Sequence, residues 1–344
     1  MHDLAIIVVS TNEAHWLRPA LSTVFAHAGD ISLDVVVADN ESTDGTRELV
    51  ETEFSQVRVV TCENRGFSHA NNRALRTCDA RYVLLLNPDT EILEGTFAGL
   101  VQAMDERPEV GLAGVRQVMP DGNLYPSIGR FPNALRALGE ALASERFPFR
   151  ASWLGERELK WALYERETPC DWVLGSFMLA RREALESAGF LDERFFIYSE
   201  ETDLCYRIRQ AGWGIRHLPH MTILHHAGKG GVSSKMTAQL IYARLQYARK
   251  HFSPVHRTAF VAALGLRHLL RSVFAGTDRD ASRQRRVAAR RALRVLLGRE
   301  SSPFGAPPKQ AVAPAPATGR PAGRRRPGER SGGVAKAPLD QRLR

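Results

Sequence analysis

The stretch RYVLLLNPDTEIL, Arg81 to Leu93, sets the fold class. Tyr82 to Leu86 is an unbroken apolar run, the pattern of a strand covered on both faces. It stops abruptly at Asn87-Pro88-Asp89-Thr90, which puts the Asp89 carboxylate at the strand's carboxyl end. Two earlier runs end the same way. LAIIVVS (4–10) leads into Ser10-Thr11-Asn12-Glu13, and LDVVVADN (33–40) ends in Asp39-Asn40-Glu41-Ser42. A further strand is expected at VRVVTC (57–62). Between the runs, Trp16, Leu17, Leu21, Val24 and Phe25 recur at helical spacing over 13–28. Helices are also expected over 42–54, 68–78 and 95–107. Alternating strand and helix predicts an α/β fold with a mostly parallel sheet flanked by helices. Carboxyl ends of parallel strands share one edge, where ligands bind. Thr11, Asp39 and Asp89 are therefore expected to converge.

The second half is less regular. VGLAGVRQVMPDGNLY (110–125) predicts a strand, an Asp-Gly turn and a short return strand. A helical region is expected over 133–166, a strand over 170–181, a helix over 199–213 and a strand over 214–226. Helices at about 235–251 and 256–275 follow. From Gly276 arginine dominates, with Val287, Leu293, Val295 and Leu296 as a weak helical stripe. From Ser301 the chain is Pro, Ala, Gly and Arg with few large apolar residues, the composition of a disordered tail. The expected division is a catalytic domain over 1–255, a basic helical extension over 256–300 and a disordered tail over 301–344.

The net charge of +9 is unevenly spread. From His251 onward there are 20 Lys and Arg against 5 Asp and Glu; the first 250 residues carry 27 against 33. A mildly acidic body thus bears a strongly basic end. The four cysteines are far apart with no C-x-x-C pair, as expected of reduced thiols in a cytoplasmic protein. The start, MHDLAIIVVSTNEAHW, lacks a basic leader and turns polar after Ser10, so it reads as a strand rather than a signal peptide. No run approaches the roughly 18 apolar residues of a membrane helix.

Three further segments carry chemistry. In ENRGFSHANNRAL (63–75), Arg65 precedes a helix N-terminus, a pairing suited to a diphosphate, and Gly66 permits a tight turn. No G-x-G-x-x-G or P-loop motif follows the first strand, which disfavours dinucleotide and P-loop chemistry. A nucleotidyltransferase would need a glycine-rich basic loop there, and STNEAHW is neither. In FFIYSEETDLCYRIRQAGW, Glu200, Glu201 and Asp203 fill the first turn of a helix with Ser199 as its expected cap. The helix dipole alone favours acids there. Their apolar lead-in also suits a partly desolvated general base. HHAGKGG (225–231) ends a strand with two histidines, of which one can face inward. An imidazole with a carboxylate suits Mn²⁺. The glycines predict a mobile loop closing over substrate.

Together, VVSTNEAHWLRPALSTV, VVVADNESTDGT, NRGFSHANNRAL, YVLLLNPDTEI, GSFMLARREALESAGFLDERFFIYSEETDLCYRIRQAGW and HHAG resemble the motifs of inverting family-2 glycosyltransferases with the GT-A fold. The nearest subgroup is the bacterial rhamnosyltransferase-like enzymes, and the resemblance spans about 3–250. It implies transfer of a sugar, dTDP-L-rhamnose being the subgroup's donor, to a saccharide or lipid-linked acceptor in cell-surface polysaccharide synthesis. Asp39 resembles the aspartate that binds the pyrimidine base. Thr11, Glu13, Arg65 and Asn71 fall in donor-site segments. Asp89 resembles the last acid of the D-x-D motif, which holds Mg²⁺ or Mn²⁺ on the diphosphate, and His225 the histidine that also reaches the metal. Trp172 and Gly175 match the acceptor segment. Glu200 and Glu201 match the "ED" pair that supplies the base. Two positions depart from the pattern. Asn87 replaces the first acid of D-x-D, and the pair is Glu-Glu, which leaves open which glutamate acts. Retention of Asp89, the acids at 200–201 and His225 weighs against a binding protein that has lost catalysis. The basic end is expected to meet the anionic inner face of a membrane, with 260–274 as an interfacial helix, rather than nucleic acid.

Overall fold

The computed structural model describes residues 1–142, 155–226, 233–273 and 279–305. The first half runs β1 (His2–Ser10), α1 (Ala14–Ala26), β2 (Leu33–Asn40), α2 (Thr46–Glu53), β3 (Arg58–Cys62), α3 (Phe67–Leu75), β4 (Ala80–Leu86), β5 (Thr90–Glu94) and α4 (Phe97–Asp105). Then come β6 (Val110–Val118), β7 (Ile128–Gly129), α5 (Ala134–Leu142), β8 (Thr168–Pro169), β9 (Trp172–Val173), β10 (Phe177–Arg181), α6 (Arg182–Ala188), α7 (Glu200–Gln210) and β11 (Gly214–His225). Three long helices follow: α8 (Ser234–His251), α9 (Pro254–Val273) and α10 (Arg279–Leu296).

The main sheet has the order β3-β2-β1-β4-β10-β6-β11-β5, with β8 on β11. β1, β2, β3 and β4 are mutually parallel, as are β6 and β11; β10 and β5 run antiparallel to their neighbours. The architecture is the expected mostly parallel α/β sheet. Alternate residues of each strand enter separate apolar clusters on its two faces. Ile6, Val8, Leu84 and Leu86 pack with Leu17, Leu21 and Val24 of α1; Ile7, Val83 and Leu85 pack with Ala70 and Ala74 of α3. Each fully buried Leu or Ile contributes about 1.5–3 kcal/mol, so the doubly apolar strands hold the sheet edge rigid.

Three sequence expectations change. The strand over 170–181 is broken. β9 pairs with β7 in a small second sheet, and Leu174-Gly175-Ser176 turns the chain back into the main sheet as β10. β5 was not foreseen; its TEILE alternates after the Pro88-Asp89 turn, with Ile92 buried. Third, the apolar face of α9 is taken up within the protein over its first half, while Leu269 and Val273 further along are exposed. Phe260, Ala263 and Leu264 pack on Ala137 of α5 and Ala248 of α8. α10 buries alanines Ala288, Ala289 and Ala292 beside Val295, while Val287 faces outward.

Ser301–Gly305, the first residues of the expected disordered tail, fold back onto the body. Phe304 stacks on Phe196 at 4.5 Å, and the Ser302 hydroxyl donates to Gln239 Oε1 at 2.9 Å. The rest of that tail (306–344), part of the expected helical region (143–154) and the glycine-rich loop (227–232) lie outside the described residues. All four cysteines are free thiols. Among the described residues no helix is long and apolar enough to cross a membrane.

Candidate active site

Register brings the polar strand ends to one edge. Ser10 pairs with Asp39, Asp39 with Thr61, and Val8 with Leu86, so the loops after β1, β2, β3 and β4 emerge side by side. Side chains then stitch these loops together. The Asn40 amide donates to Thr11 Oγ1 at 3.1 Å and to Asn64 Oδ1 at 2.9 Å. Asn12 Oδ1 accepts from Thr43 N at 2.7 Å, and Asp44 Oδ2 from Ala14 N at 2.9 Å. Asn40 was not singled out in the sequence, although it links all three loops.

Asp39 is buried, and its Oδ1 accepts from Ser42 N at 3.0 Å. It lines an open cleft of about 410 Å³ with Glu41, Thr61, Cys62 and Glu63. Arg65 is exposed and borders a neighbouring cleft of about 220 Å³ with Asn64, Arg194 and Phe304. Asn71 is fully buried; its amide donates to Phe67 O, and its Oδ1 has no partner among the described residues.

At the end of β4, Asn87 N donates to Ser176 O at 3.0 Å, and Thr90 Oγ1 donates to Asn87 O at 2.6 Å. These bonds fix the turn that carries Asp89. Asp89 Oδ1 lies 3.5 Å from His225 Nε2. Burial alone would raise the Asp89 carboxyl, but the hydrogen bond and charge of His225 hold it below the ordinary range. Glu13 has the opposite fate. Burial, then the charge of Asp89, push it up to about 7. His226 faces away, with Nε2 2.6 Å from Glu91 Oε1 and its ring 4.4 Å from that of Trp16. So His225 is the inward histidine, and Tyr125 packs on it at 4.9 Å.

Asp89 and His225 suit a divalent cation: one hard carboxylate oxygen and one imidazole lie within reach of a shared ion. No group of three or more His, Cys, Asp or Glu ligands converges among the described residues, so a cation here would draw further ligands from substrate and water.

Glu200 and Glu201 open α7. Ser199 occupies the cap position but makes no side-chain cap bond. It adopts φ 64°, after Tyr198 at φ 72°. Of the five non-glycine residues at positive φ among those described, Asn12, Glu41, Tyr198 and Ser199 all flank this edge. Such strain costs about 1–3 kcal/mol per residue and concentrates at functional sites. Burial raises both glutamates, Glu200 further because Glu201 and Asp203 add negative charge. Each has an Oε2 without a partner among the described residues. Glu200 is 5% exposed, and Glu201 is the more open of the two. A β-carbon built on Gly175 would sit 3.6 Å from Glu201 Cβ, so the acceptor-segment turn runs directly past Glu201. Trp172 itself is buried at 4% exposure; its indole N–H donates to Arg130 O at 2.8 Å.

α7 is anchored from below. Asp203 is fully buried and pairs with Arg207 at 2.8 Å, and with Lys250 and His251 of α8 at 2.7 Å each. Sequence reasoning missed Tyr125, Tyr198 and these α8 partners. Tyr125, an aromatic at the exit of an Asp-Gly turn, offered a local signal; the α8 residues sit far along the chain and offered none.

Residues 5–187 match the family described as "Glycosyl transferase family 2". The chain is 31% identical over 238 residues to an N-acetylglucosaminyl-diphospho-decaprenol L-rhamnosyltransferase of Mycobacterium tuberculosis, covering 65% of this chain and 76% of that one. It is 24% identical over 237 residues to the rhamnosyltransferase WbbL of Escherichia coli K12, covering 64% and 83%. Among solved structures, GalNAc-T7 with UDP, GalNAc and Mn²⁺ superposes with a TM-score of 0.52 at 14% identity, over 87% of this chain and 56% of that one. The chain belongs to glycosyl transferase family 2 and has the GT-A fold.

Proposed function

We propose that this chain transfers a sugar, L-rhamnose from dTDP-L-rhamnose, with inversion, onto a hydroxyl of a lipid-linked saccharide in cell-surface polysaccharide synthesis. The observation that carries the reading is that the turn beside the glutamates is bonded to the end of β4: Asn87 N, two residues before Asp89, donates to Ser176 O at 3.0 Å. Asp89 pairs with His225 beyond that bond, and Glu201 adjoins Gly175, the residue before Ser176. Two relatives bear the name rhamnosyltransferase, and one of them names a decaprenol diphosphate acceptor.

In this reading Asp39 hydrogen-bonds the pyrimidine in the cleft it lines, and Thr11, Glu13, Arg65, Asn71 and Asn87 border the rest of the donor. Asp89 and His225 would hold a divalent cation, Mg²⁺ or Mn²⁺, whose charge would stabilise the departing diphosphate. Trp172 and Gly175 shape the acceptor side. Glu201 is the base, because it is the more accessible glutamate and adjoins that turn. It takes the proton of the acceptor hydroxyl while that oxygen bonds to the anomeric carbon. The bond from that carbon to the diphosphate breaks, and its electron pair leaves with the nucleoside diphosphate. A single displacement inverts the centre and needs no enzyme nucleophile. Glu200 is the more deeply buried of the two, and burial, then the charge of Glu201, raise its carboxyl well above the ordinary range.

Work at the inner face of a membrane follows from the lipid carrier. The support is α10, whose exposed face carries Arg283, Arg286, Arg290 and Arg294 one helical turn or so apart.

The test is a panel of nucleotide-sugars offered with Mg²⁺ or Mn²⁺ and a prenyl-diphosphate-linked saccharide, with product configuration read by NMR. An inverted rhamnoside is the expected product. Transfer of another sugar removes the donor assignment. Retained configuration removes the mechanism. Binding without transfer or hydrolysis marks a nucleotide-sugar-binding protein.

A further inference from the structure

Arg157 is a cation that the donor site does not use. It lies in a short extended segment alongside β7. Arg130 N donates to Glu156 O at 2.8 Å, Glu158 N donates to Ile128 O at 3.0 Å, and Arg157 bridges Gly129. Gly129 in turn pairs with Trp172 of β9. A β-carbon at Gly129 would fall 2.0 Å from the indole, so only glycine lets the Trp172 ring lie across this position. The Arg157 guanidinium then rests over that ring, 4.4 Å from its centroid, and its Nη1 donates to Pro126 O at 3.0 Å.

These contacts orient the guanidinium without neutralising it. Its neighbours in the segment are committed elsewhere, Glu156 to Arg244 and Glu158 to Arg130. No carboxylate forms an ion pair with Arg157 among the described residues. A half-buried arginine stacked on an aromatic ring still has a planar fork of donors for an oxyanion.

The location narrows which anion. Trp172 is three residues from Gly175, at most about 10 Å along the chain, and Gly175 adjoins Glu201. The positive charge of Arg157 is also felt at Glu201, where it opposes the rise caused by burial. β7 and β9 pack beside β6, with Val173 against Gly114 and Ser127 Oγ donating to Val115 O at 3.2 Å, and β10 and β4 separate β6 from β1 in the sheet order.

We propose that Arg157 is an acceptor-binding residue that holds a phosphate oxygen of a diphosphate-linked saccharide, setting the sugar hydroxyl against Glu201. The inference rests on the transferase reading above and adds to it the phosphate of the acceptor as a recognition element. Trp172 acts through Arg157: buried, it presents the guanidinium rather than the sugar.

The experiment compares two acceptors carrying the same sugar, a short-chain prenyl diphosphate and a neutral alkyl glycoside, with whichever donor the wild type uses. The wild type is expected to prefer the diphosphate. Arg157→Met should lower kcat/KM for that acceptor roughly tenfold to a hundredfold, the contribution of one charge-assisted hydrogen bond. The loss should fall mainly in KM. Any effect of the lost charge on Glu201 falls on both acceptors alike, so the ratio of their kcat/KM values should fall by that factor, and Arg157→Lys should recover part of the preference. Equal losses on both acceptors, or a wild type indifferent to the diphosphate, overturn the proposal. Should Arg157→Met fail to fold by thermal unfolding, Arg157→Lys and competition by geranyl diphosphate against the wild-type acceptor decide it. Absence of competition then counts against it. A wild type that turns over no nucleotide-sugar at all defeats the transferase reading itself, and this inference with it.

Discussion

Gly66 is where the proposed donor loop meets the segment that leads to the proposed base, and Gly66→Ala tests that junction. Gly66 sits at φ 99°, ψ 173°, a region essentially restricted to glycine. A β-carbon there would lie 2.3 Å from Phe196 O and 2.7 Å from Phe196 Cα. Both are backbone atoms, so no side chain can swing aside. The same carbonyl accepts the hydrogen bond from Phe67 N at 2.7 Å that starts α3. Backbone strain of about 1–3 kcal/mol, overpacking of about 1–3 and a lost hydrogen bond of about 0.5–1.5 together predict roughly 2.5–7.5 kcal/mol. Total stability for a typical domain is about 5–15 kcal/mol, so the variant should be marginal but measurable in urea at low temperature. Pushing Phe196 away should also move Tyr198–Glu201, so nucleotide-sugar binding and turnover should both fall in the folded fraction. A loss under about 1 kcal/mol with donor affinity unchanged would refute the junction.

Other expectations are separable. Burial raises Glu201, and a base must be ionised, so the acidic limb of kcat/KM should lie above the ordinary glutamate value of 4.5 and move down in variants that open the site. A limb at or below that value would count against Glu201 in its buried setting. Burial would raise Asp203, but His251, Arg207 and Lys250 outweigh it and lower its folded-state value. A lowered carboxylate stabilises the fold above its unfolded value of 3.8 and loses that contribution as pH falls through the folded value. Asp203→Asn should therefore flatten the acid side of the stability profile and cost about 3–5 kcal/mol at neutral pH; an unchanged profile by chemical denaturation would be the contrary result. Replacing Arg283, Arg286 and Arg290 by Gln should weaken co-sedimentation with anionic vesicles, about 1 kcal/mol per charge, while leaving neutral vesicles unaffected. Equal sedimentation of both proteins would dismiss α10 as a membrane contact.

The first half of the fold was legible because each parallel strand announces itself twice, by an unbroken apolar run and by a polar end. The same two signals located Thr11, Asp39 and Asp89 at one edge, and register then aligned them. The second half was harder. Leu174-Gly175-Ser176 interrupts an apolar run without any polar break, so the exchange between two sheets was invisible to periodicity. Ser199 reads as a cap from its residue type, yet it sits at positive φ and its side chain makes no cap bond. The role of α9 was misjudged because an amphipathic helix carries the same pattern whether it faces lipid or, as here, Ala137 and Ala248. Arg157 and the Asp203 anchors depend on residues distant in sequence meeting across the fold, which no local pattern encodes.

Replacing one oxygen of the proposed base tests the account most directly. Glu201→Gln keeps the size of the side chain and removes its capacity to accept a proton. Single-turnover transfer should slow by about 10²–10⁴ while calorimetric affinity for the nucleotide-sugar stays within a few-fold of wild type. Transfer surviving within about tenfold of wild type would contradict the assignment of Glu201 as the base.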